Sequence, residues 1–290
     1  MNIGPISKKR ARDSFNRAAA TYDSVAVLQR EVGKRLVERL DLIKSVPQFI
    51  LDVGCGTGEN TLLLSKVYKR ANVVALDFAD QMLKIASRKQ SWTKKLLNHE
   101  IKFVCADAEC LPFHDNSFDF IFSNLTLQWC TDLDRAFTEF KRILKPDGLL
   151  FFSTLGPDTL KELRLSWQRV DANQHVHTFI DMHDVGDAMI RSGLADPVMD
   201  VEYFTLTYND TMDLMRELKQ LGAHNASLNR PHQLTGKNHL RAMQQHYESF
   251  RTDNKLPATY EVVYGHAWSV NISKTTPDQS NSVNVQFKPG

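Results

Sequence analysis

Three glycines at alternate positions follow an apolar run in this chain, and their spacing says more about chemistry than any other feature of the sequence. Gly54, Gly56 and Gly58 come directly after the apolar residues 49–53 and before a leucine-rich helical segment. A strand, a glycine-rich turn and a helix in this order bring bare backbone N–H groups against a ligand. Asp77 ends a second apolar run twenty-three residues after Gly54, and a carboxylate at a strand tip can accept both hydroxyls of a ribose. Together these features predict a nucleoside pocket.

The glycine spacing distinguishes between nucleotide cofactors. A dinucleotide fingerprint has its third glycine at the position that Glu59 occupies here. A carboxylate at the start of the first helix does not suit a pyrophosphate, but it suits a cofactor with an amino-acid tail and a positive centre. We therefore expect S-adenosylmethionine, whose ammonium Asp52 and Glu59 would receive directly or through water. The alternative is that the glycines only form a tight turn.

Further polar residues follow the third and fourth predicted strands. Asp107 has a carboxylate that can accept the exocyclic amine of adenine, and the N–H of Ala108 can serve a ring nitrogen. A lone Asp at this position could instead be a turn former. The segment 123–129 contains a polar pair that includes Asn124, and it also contains Trp129. Both lie where the methyl donor is expected to point. Trp129 could equally be a plain core residue.

The elements that must hold these residues alternate between strands and helices, which is typical of a mostly parallel α/β sheet with helices on both faces. The apolar runs predict strands at about 49–53, 73–77, 101–105, 118–123 and 149–154, with Lys145–Gly148 as a turn before the fifth, and a final antiparallel pair at about 199–207 and 260–268. The apolar periodicity predicts helices at about 32–43, 133–144, 211–221 and 237–250. Because the carboxyl ends of parallel strands share one rim, the candidate residues should lie together there.

Composition argues against several classes of function. The chain has 290 residues, 42% of them hydrophobic, and a net charge of +2 from 36 basic and 34 acidic residues, so no overall field selects nucleic acid or membrane. No run of about eighteen apolar residues occurs, and the basic first residues lack the apolar segment of a signal peptide. We therefore expect a cytoplasmic protein with four reduced cysteines. The ten histidines show no metal-ligand spacing, so no metal is expected.

Several segments resemble those of a known enzyme family. Asp52–Gly58, Ala106–Phe113 and Leu144–Gly148 are similar to the motifs of class I methyltransferases. The flanking segments resemble the bacterial malonyl-acyl-carrier-protein O-methyltransferases of biotin synthesis, the BioC family; they are Ser14–Asp23, Leu28–Val32, Ser123–Trp129, Phe152–Leu163, His177–Asp184 and Leu221–Asn225. This resemblance implies a seven-stranded, Rossmann-like methyltransferase sheet with an added helical lid. It also implies methylation, by S-adenosylmethionine, of the free carboxyl of a malonyl thioester.

The resemblance and the element pattern divide the chain into five expected segments. These are an N-terminal helical cap at 1–46, a cofactor-binding core at 47–156, a lid helix and loop at 157–198, closing antiparallel strands with inserted helices at 199–270, and a flexible tail at 271–290. The lid expectation rests on Pro157, which opens a helix that a polar, histidine-bearing loop follows.

A predicted site follows from the resemblance and the residue chemistry. The cofactor-binding set is Gln29, Asp52, Gly54, Gly56, Gly58, Asp77, Phe78, Met82, Asp107, Ala108 and Asn124, and the catalytic set is Tyr22, Trp129, Phe179 and His177. A malonyl carboxylate is already ionised at pH 7, so no general base is needed. Aromatic faces would favour the cationic sulfonium and its methyl group. The anchor for the substrate carboxylate stays open among His175, His177, Arg164 and the Tyr22 hydroxyl.

A substrate carried on a protein also needs a docking face for an acidic carrier protein. The cluster Lys8, Lys9, Arg10 and Arg12 and the pair Arg216 and Lys219 are candidates, although each could be ordinary solvated surface. We expect a monomer. Two other functions remain open at this stage: methylation of another small acceptor, such as a quinone precursor or a different acid, and a cofactor-binding assembly factor that transfers no methyl group.

Overall fold

A seven-stranded sheet forms the centre of the protein. The computed structural model describes residues 6–42, 46–93, 100–223, 225–228 and 236–270. The strands are β1 (Phe49–Val53), β2 (Asn72–Asp77), β3 (Lys102–Cys105), β4 (Phe118–Asn124), β5 (Leu144–Leu155), β6 (Ala195–Tyr208) and β7 (Leu256–Ser269). Their order across the sheet is β3-β2-β1-β4-β5-β7-β6. The first five strands pair in parallel, whereas β7 runs antiparallel to both β5 and β6. The predicted fold class and the antiparallel pairing of the last two strands are confirmed.

Nine helices surround the sheet in the part of the chain that the structure describes. They are α1 (Lys8–Val25), α2 (Val27–Glu38), α3 (Glu59–Val67), α4 (Asp80–Thr93), α5 (Leu133–Ile143), α6 (Lys161–Gln168), α7 (Met182–Arg191), α8 (Thr211–Gln220) and α9 (Lys237–Tyr247). The predicted helix at 32–43 begins five residues earlier, at Val27, and continues as a 3-10 turn over Arg39–Leu42. Ile43 and the predicted tail at 271–290 lie outside the described residues.

Alternate residues of the central strands face two separate layers of the core. Ile50 belongs to the same buried cluster as Leu36 of α2, whereas its neighbour Leu51 belongs to the cluster that contains Phe140 of α5. This follows from the two-residue period of a strand. All four side chains are fully buried, and each contributes about 1.5–3 kcal/mol of hydrophobic stabilisation. The sheet is therefore held from both sides.

Strand β5 begins earlier than the sequence predicts. Lys145–Gly148, predicted as a turn, belongs to this strand, which pairs with β4 at Leu144 and again from Leu149 onward. Between these two pairs, four residues of β5 oppose a single residue of β4, and Asp147 has a φ of +62°. The turn residues therefore form a bulge within the strand.

The segment that was predicted as a lid contains two helices with different surroundings. In α6, Leu163 and Trp167 are buried in the cluster of the α2 face. In α7, which the sequence analysis did not identify, Val185 and Met189 are buried against the opposite face together with the α5 residues. The loop between α6 and α7 carries His175 and His177. No helix within the described ranges has the length and apolar character that a membrane span needs.

The strand order determines which edge of the sheet the predicted site residues share. Strands β2 and β3 lie on one side of β1, and β4 lies on the other, so the direction of the chain connections reverses between β1 and β4. In open α/β sheets, ligands bind in the crevice outside the carboxyl ends of the strands at such a reversal. The glycine turn after β1 and the segment after β4 both lie at this point.

Candidate active site

The glycine turn after β1 has a backbone that favours glycine. Gly54, Gly56 and Gly58 have φ values of +71°, +53° and +82°, in the left-handed region that side chains disfavour. The N–H groups of Gly54 and Cys55 both donate to the carbonyl of Leu76, at 2.7 and 3.0 Å. These bonds tie the turn to β2. A Cβ on Gly54 would also lie 2.0 Å from Thr126 Oγ1, so this position cannot take a side chain without a shift.

Asp77 closes the turn from the end of β2. Its Oδ2 accepts the Gly56 N–H at 2.9 Å, and its Oδ1 accepts the Ala79 N–H at 2.8 Å. Burial raises the pKa of Asp77 to about 6, although these backbone donors oppose the rise. The carboxyl is therefore mostly ionised at pH 7. Each oxygen keeps a lone pair with which it can accept a further donor, such as a ribose hydroxyl.

Asp52 and Glu59, the two predicted partners of an ammonium group, lie in different surroundings. Asp52 is only 1% exposed, and its carboxylate accepts the hydroxyl of Thr61 in α3. Burial raises its pKa to about 7. Asp52 thus joins β1 to α3 beneath the turn. Glu59 is exposed and lines a small cavity with Gln29 and the glycine turn.

A second small cavity lies where β3 ends. Phe78, Asp107, Ala108 and Trp129 are among the residues that line it. Lys8 lines it as well, with its Nζ 2.6 Å from Asp107 Oδ2 and 2.8 Å from Glu109 Oε2. Lys8 was predicted to belong to a docking face for a carrier protein, but its ammonium is turned toward these two carboxylates. The sequence carries no local signal for this contact, because Lys8 and Asp107 are 99 residues apart.

A larger cavity of about 470 Å³ adjoins both small ones. It shares Tyr22 and Gln29 with the cavity at the glycine turn and Trp129 with the cavity at β3. Most of its wall is apolar and comes from the ends of β4 and β5, from α6, β6 and α8, and from the loop that precedes α7. Examples are Leu125, Leu155, Leu163, Trp167, Val176, Phe179, Leu206, Met212, Met215 and Leu218. The two small cavities together form the cleft at the edge of the sheet. A ligand in the larger cavity would meet a ligand in this cleft at Tyr22, Gln29 and Trp129.

Aromatic rings form the wall at this junction. Trp129 stacks on His177 with ring centroids 5.9 Å apart, and Phe179 packs edge-on against His177 at 5.6 Å. Phe15 of α1 meets Trp129 edge-on at 5.1 Å. Trp129 is half-buried and faces two cavities. The structure thus brings three of the four predicted catalytic residues into one stack of rings.

Two buried polar groups at the junction have no hydrogen-bond partner among the described residues. Both ring nitrogens of His177 and the Oε1 of Gln29 are in this state. Burial lowers the pKa of His177, which the nearby Gln128 carbonyl opposes only in part. Burial raises the pKa of Tyr22, so its hydroxyl keeps its proton. The junction therefore offers neutral N–H and O–H donors, and buried polar atoms without partners are uncommon outside functional sites.

The other predicted anchors for a carboxylate already have partners. His175 stacks flat on Trp167, with centroids 3.8 Å apart, and bonds Asp171 at 2.9 Å. The Arg164 guanidinium donates to the carbonyls of Thr159 and Pro157. His177 and Tyr22 are therefore the candidates that the geometry favours.

Asn124, another predicted cofactor residue, lines the cavity at the glycine turn, whereas Met82 is buried. Asn124 donates to the carbonyl of Gln29 at 2.9 Å and accepts the hydroxyl of Ser153 at 2.7 Å, which joins α2 to β4 and β5. Met82 is 1% exposed and packs in a cluster with Ala19 and Ala79, beneath α1. No group of His, Cys, Asp or Glu side chains within the described ranges could hold a metal ion.

Comparisons with known proteins identify the family and the fold. The family described as "Methyltransferase domain" matches residues 51–152. A malonyl-[acyl-carrier protein] O-methyltransferase of Methylovorus sp. (strain MP688) is 52% identical over 98% of this chain and 96% of its own length. One of the same name from Gallionella capsiferriformans (strain ES-2) is 50% identical over 99% of both chains. The crystal structure of the YcgJ protein from Bacillus subtilis, 16% identical, shares the fold with a TM-score of 0.57 and covers 81% of this chain and 98% of its own.

Proposed function

This chain belongs to the malonyl-[acyl-carrier protein] O-methyltransferase family, and we propose that it methylates the free carboxylate of a malonyl group held as a thioester on an acyl carrier protein. It is an S-adenosylmethionine-dependent O-methyltransferase. The product would be the methyl ester, which agrees with an early step of biotin synthesis. The observation that carries the proposal is the apolar cavity of about 470 Å³ that meets the glycine-turn cleft at Tyr22, Gln29 and Trp129.

The residues of the cleft fit S-adenosylmethionine. The ionised carboxylate of Asp77 would hold the ribose, and Asp107 with the Ala108 N–H would hold the adenine. Gln29 lines the small cavity at the glycine turn, and its Oε1 has no partner among the described residues, so it could accept from the ammonium of an amino-acid tail. Glu59, on the wall of the same small cavity, would complement the ammonium of that tail.

Positioning accounts for the catalysis. S-adenosylmethionine supplies an electrophilic methyl group when it is bound, and a malonyl carboxylate is ionised at pH 7, so the protein need not remove a proton. The rings of Trp129, His177 and Phe179 exclude water from the junction and restrict the approach of the carboxylate. Holding reactants in line can supply about 7–11 kcal/mol of the barrier. This is the contribution that a wall of packed rings can make.

His177 and Tyr22 would orient the substrate carboxylate. A neutral imidazole has one N–H donor, and the Tyr22 hydroxyl has one O–H donor. Both groups lie at the junction of the cavities. Methylation removes the negative charge of the carboxylate and so weakens both charge-assisted bonds. The same two residues would therefore favour release of the neutral ester.

The rest of the cavity would take the arm that carries the malonyl group. Its wall continues past the junction to α8, far beyond what a three-carbon acid can fill. Arg216 and Lys219 of α8 are exposed and also line the cavity, so they lie at its opening. Arg216 pairs with Asp213 at 2.7 Å in an exposed ion pair, which contributes little to stability. These two cations would meet the acidic carrier protein there.

A thioester panel tests the reaction. Labelled S-adenosylmethionine is incubated with the protein and with malonyl, succinyl or acetyl thioesters, and a base-labile ester is measured. We expect label on malonyl alone, because the acetyl thioester has no free carboxylate and the succinyl one is longer. Label on succinyl in preference to malonyl would indicate another acid as the substrate. Label on none of the three would contradict the proposed function.

Charge reversal tests the docking face. Arg216→Glu should raise the KM for malonyl-acyl carrier protein and spare malonyl-coenzyme A, because only the former presents an acidic protein surface. Arg191→Glu is the matched control, since Arg191 also forms an exposed ion pair, with Asp134 at 2.8 Å, and does not line the cavity. Equal effects on the two substrates would reject docking at α8.

A further inference from the structure

Helix α1 lies across the cofactor edge of the sheet and is fastened at both ends. At its start, Lys8 reaches the two carboxylates that follow β3. At its end, Asp23 accepts the hydroxyl of Thr57 in the glycine turn at 2.6 Å and pairs with Lys89 of α4 at 2.7 Å. The helix thus spans the cleft from the predicted adenine end to the glycine turn.

Two aromatic residues of α1 between these fastened ends form part of the cleft wall. Phe15 meets Phe78 edge-on, with centroids 5.9 Å apart, and also meets Trp129. Tyr22 lines both the cavity at the glycine turn and the large cavity. A change in the position of α1 would therefore alter the walls of the cofactor and substrate regions together.

The ion pair of Lys8 with Glu109 is partly buried, because the Glu109 carboxylate lies inside the protein. Glu109 has a side chain only 7% exposed. It accepts the N–H groups of Thr131 and Asp132 and the hydroxyl of Thr131 as well as the Lys8 ammonium. Burial lowers the pKa of Lys8, but the two carboxylates outweigh this and raise it overall. Lys8 therefore stays charged and compensates two neighbouring negative charges.

Lys8 also restricts the carboxylate that is predicted to meet adenine. Its Nζ lies 2.7 Å from Asp107 Oδ1 and 2.6 Å from Oδ2, and the Glu109 N–H donates to Oδ1 at 3.0 Å. A carboxylate has about four lone-pair sites, so Asp107 can still accept an exocyclic amine. Because its side chain is 39% exposed, Asp107 would be held without this ion pair only by the Glu109 N–H, which bonds one of its two oxygens.

We propose that Lys8 is a positioning residue for the cofactor: it holds Asp107 in the orientation that accepts the adenine amine, and it fastens α1 over the bound nucleoside. This inference rests on the proposed function only in the identity of the cofactor. Release of the demethylated product then requires the Lys8 ion pairs to open. Nucleoside affinity and the rate of its release are accordingly set in part by a residue at the start of the chain.

Binding measurements on the full-length protein test the role of Lys8. The probe is S-adenosylhomocysteine; its binding is measured by calorimetry and its dissociation by stopped-flow tryptophan fluorescence. Lys8→Met should raise the Kd about ten-fold and speed dissociation, as expected for a lost charge-assisted contact. Lys8→Arg should restore most of the affinity. Lys9→Met is the matched control, because Lys9 is exposed on the same helix turn, and it should leave the Kd unchanged.

An analogue separates positioning from a merely structural role. The analogue of S-adenosylhomocysteine with a plain purine base has hydrogen in place of the adenine amine and keeps the ring nitrogens, so it cannot donate to Asp107 but can still accept from the Ala108 N–H. Wild-type protein should prefer the adenine compound, and Lys8→Met should lose most of that preference. In a double-mutant cycle that combines Lys8→Met with Asp107→Asn, the two losses of binding free energy should not add.

The outcomes bear separately on the two proposals. A Lys8→Met variant that binds S-adenosylhomocysteine like wild type overturns the role of Lys8, as does an equal loss for both compounds. Neither result touches the thioester reaction. Conversely, tight nucleoside binding that depends on Lys8, together with no label on any thioester, would leave this inference in place and reject the proposed substrate.

Discussion

Asp77→Asn should separate cofactor binding from the stability of the fold. The two oxygens of Asp77 accept the N–H groups of Gly56 and Ala79, and the side chain is 6% exposed. Asparagine keeps the shape and one acceptor oxygen. It removes the charge and turns an NH2 group toward one of the two N–H donors.

The stability change comes from two opposing contributions. Burial raises the pKa of Asp77 from 3.8 to about 6, which at about 1.4 kcal/mol per pKa unit means that the ionised group costs the folded state about 3 kcal/mol at pH 7. Because the folded chain holds this proton more tightly than the unfolded chain, Asp77 lowers the free energy of unfolding as the pH rises from about 4 to about 6. Asparagine removes that cost but leaves a buried N–H without an acceptor, at about 1–3 kcal/mol. The net change at pH 7 should stay below about 2 kcal/mol.

The affinity for the cofactor should fall. A hydrogen bond to a charged acceptor contributes about 1.5–3 kcal/mol, so the loss of one such ribose bond predicts a rise in Kd of about 10- to 100-fold. The Kd should also depend on pH through the titration of Asp77. Wild-type Kd should rise as the pH falls below about 6, where Asp77 takes up its proton, whereas the Kd of the variant should stay flat.

Two measurements check this prediction. Calorimetry with S-adenosylhomocysteine between pH 5 and 8 gives the Kd, and urea unfolding gives the stability. Asp52→Asn is the control, because Asp52 is equally buried but bonds Thr61 beneath the turn, so its substitution should change stability more than Kd. A folded Asp77→Asn variant with an unchanged Kd would refute the assignment of Asp77 to the ribose, and so would a wild-type Kd that does not change through pH 6.

Three further predictions concern the turn and the junction. Gly54→Ala should lower the free energy of unfolding by more than the about 1–2 kcal/mol that a left-handed backbone alone costs, because the added Cβ meets Thr126. Gly193→Ala is the control: Gly193 has a φ of +81° and no atom within 4 Å of an added Cβ, so it should show only the backbone cost in urea unfolding. Equal losses for the two variants would contradict the steric argument. Tyr22→Phe should lower kcat while the Kd for S-adenosylhomocysteine stays within about two-fold, since its hydroxyl is assigned to the carboxylate; normal turnover would make Tyr22 a packing residue. His177→Phe keeps the stack of rings and removes the N–H donor, so it should raise the KM for the malonyl thioester about ten-fold or more, and an unchanged KM would assign the anchor to another residue.

The strands of the parallel half of the sheet were predictable because each is a short apolar run between turn residues. The predicted strand at 49–53 agrees with β1 to the residue, and the others agree within a few positions, apart from β5. Helix α7 was missed because Val185 and Met189 are embedded in a polar, histidine-rich stretch that was interpreted as a loop. The length of α7 does not explain the miss, because α8 also has ten residues and was predicted; the polar residues around the apolar positions of α7 masked their helical spacing.

The glycine turn and Asp77 were predictable because their chemistry depends on nearest neighbours along the chain. The placements of Asp52 and Lys8 were not, for different reasons. Whether a strand residue faces a cavity or the layer beneath it depends on the packing of the next helix, here through Thr61. The contact of Lys8 joins two distant parts of the chain, and a basic cluster at the start of a sequence gives no sign of which member turns inward.

Strand β7 has a consequence for how the protein is made. It is the last described strand of the chain, yet it lies between β5 and β6 and pairs with both. During synthesis, β5 and β6 therefore leave the ribosome with unpaired edges, which can capture other chains, and they remain so until residues 256–269 follow. A chain that terminates before this strand should accumulate in inclusion bodies even though its cofactor residues are all present.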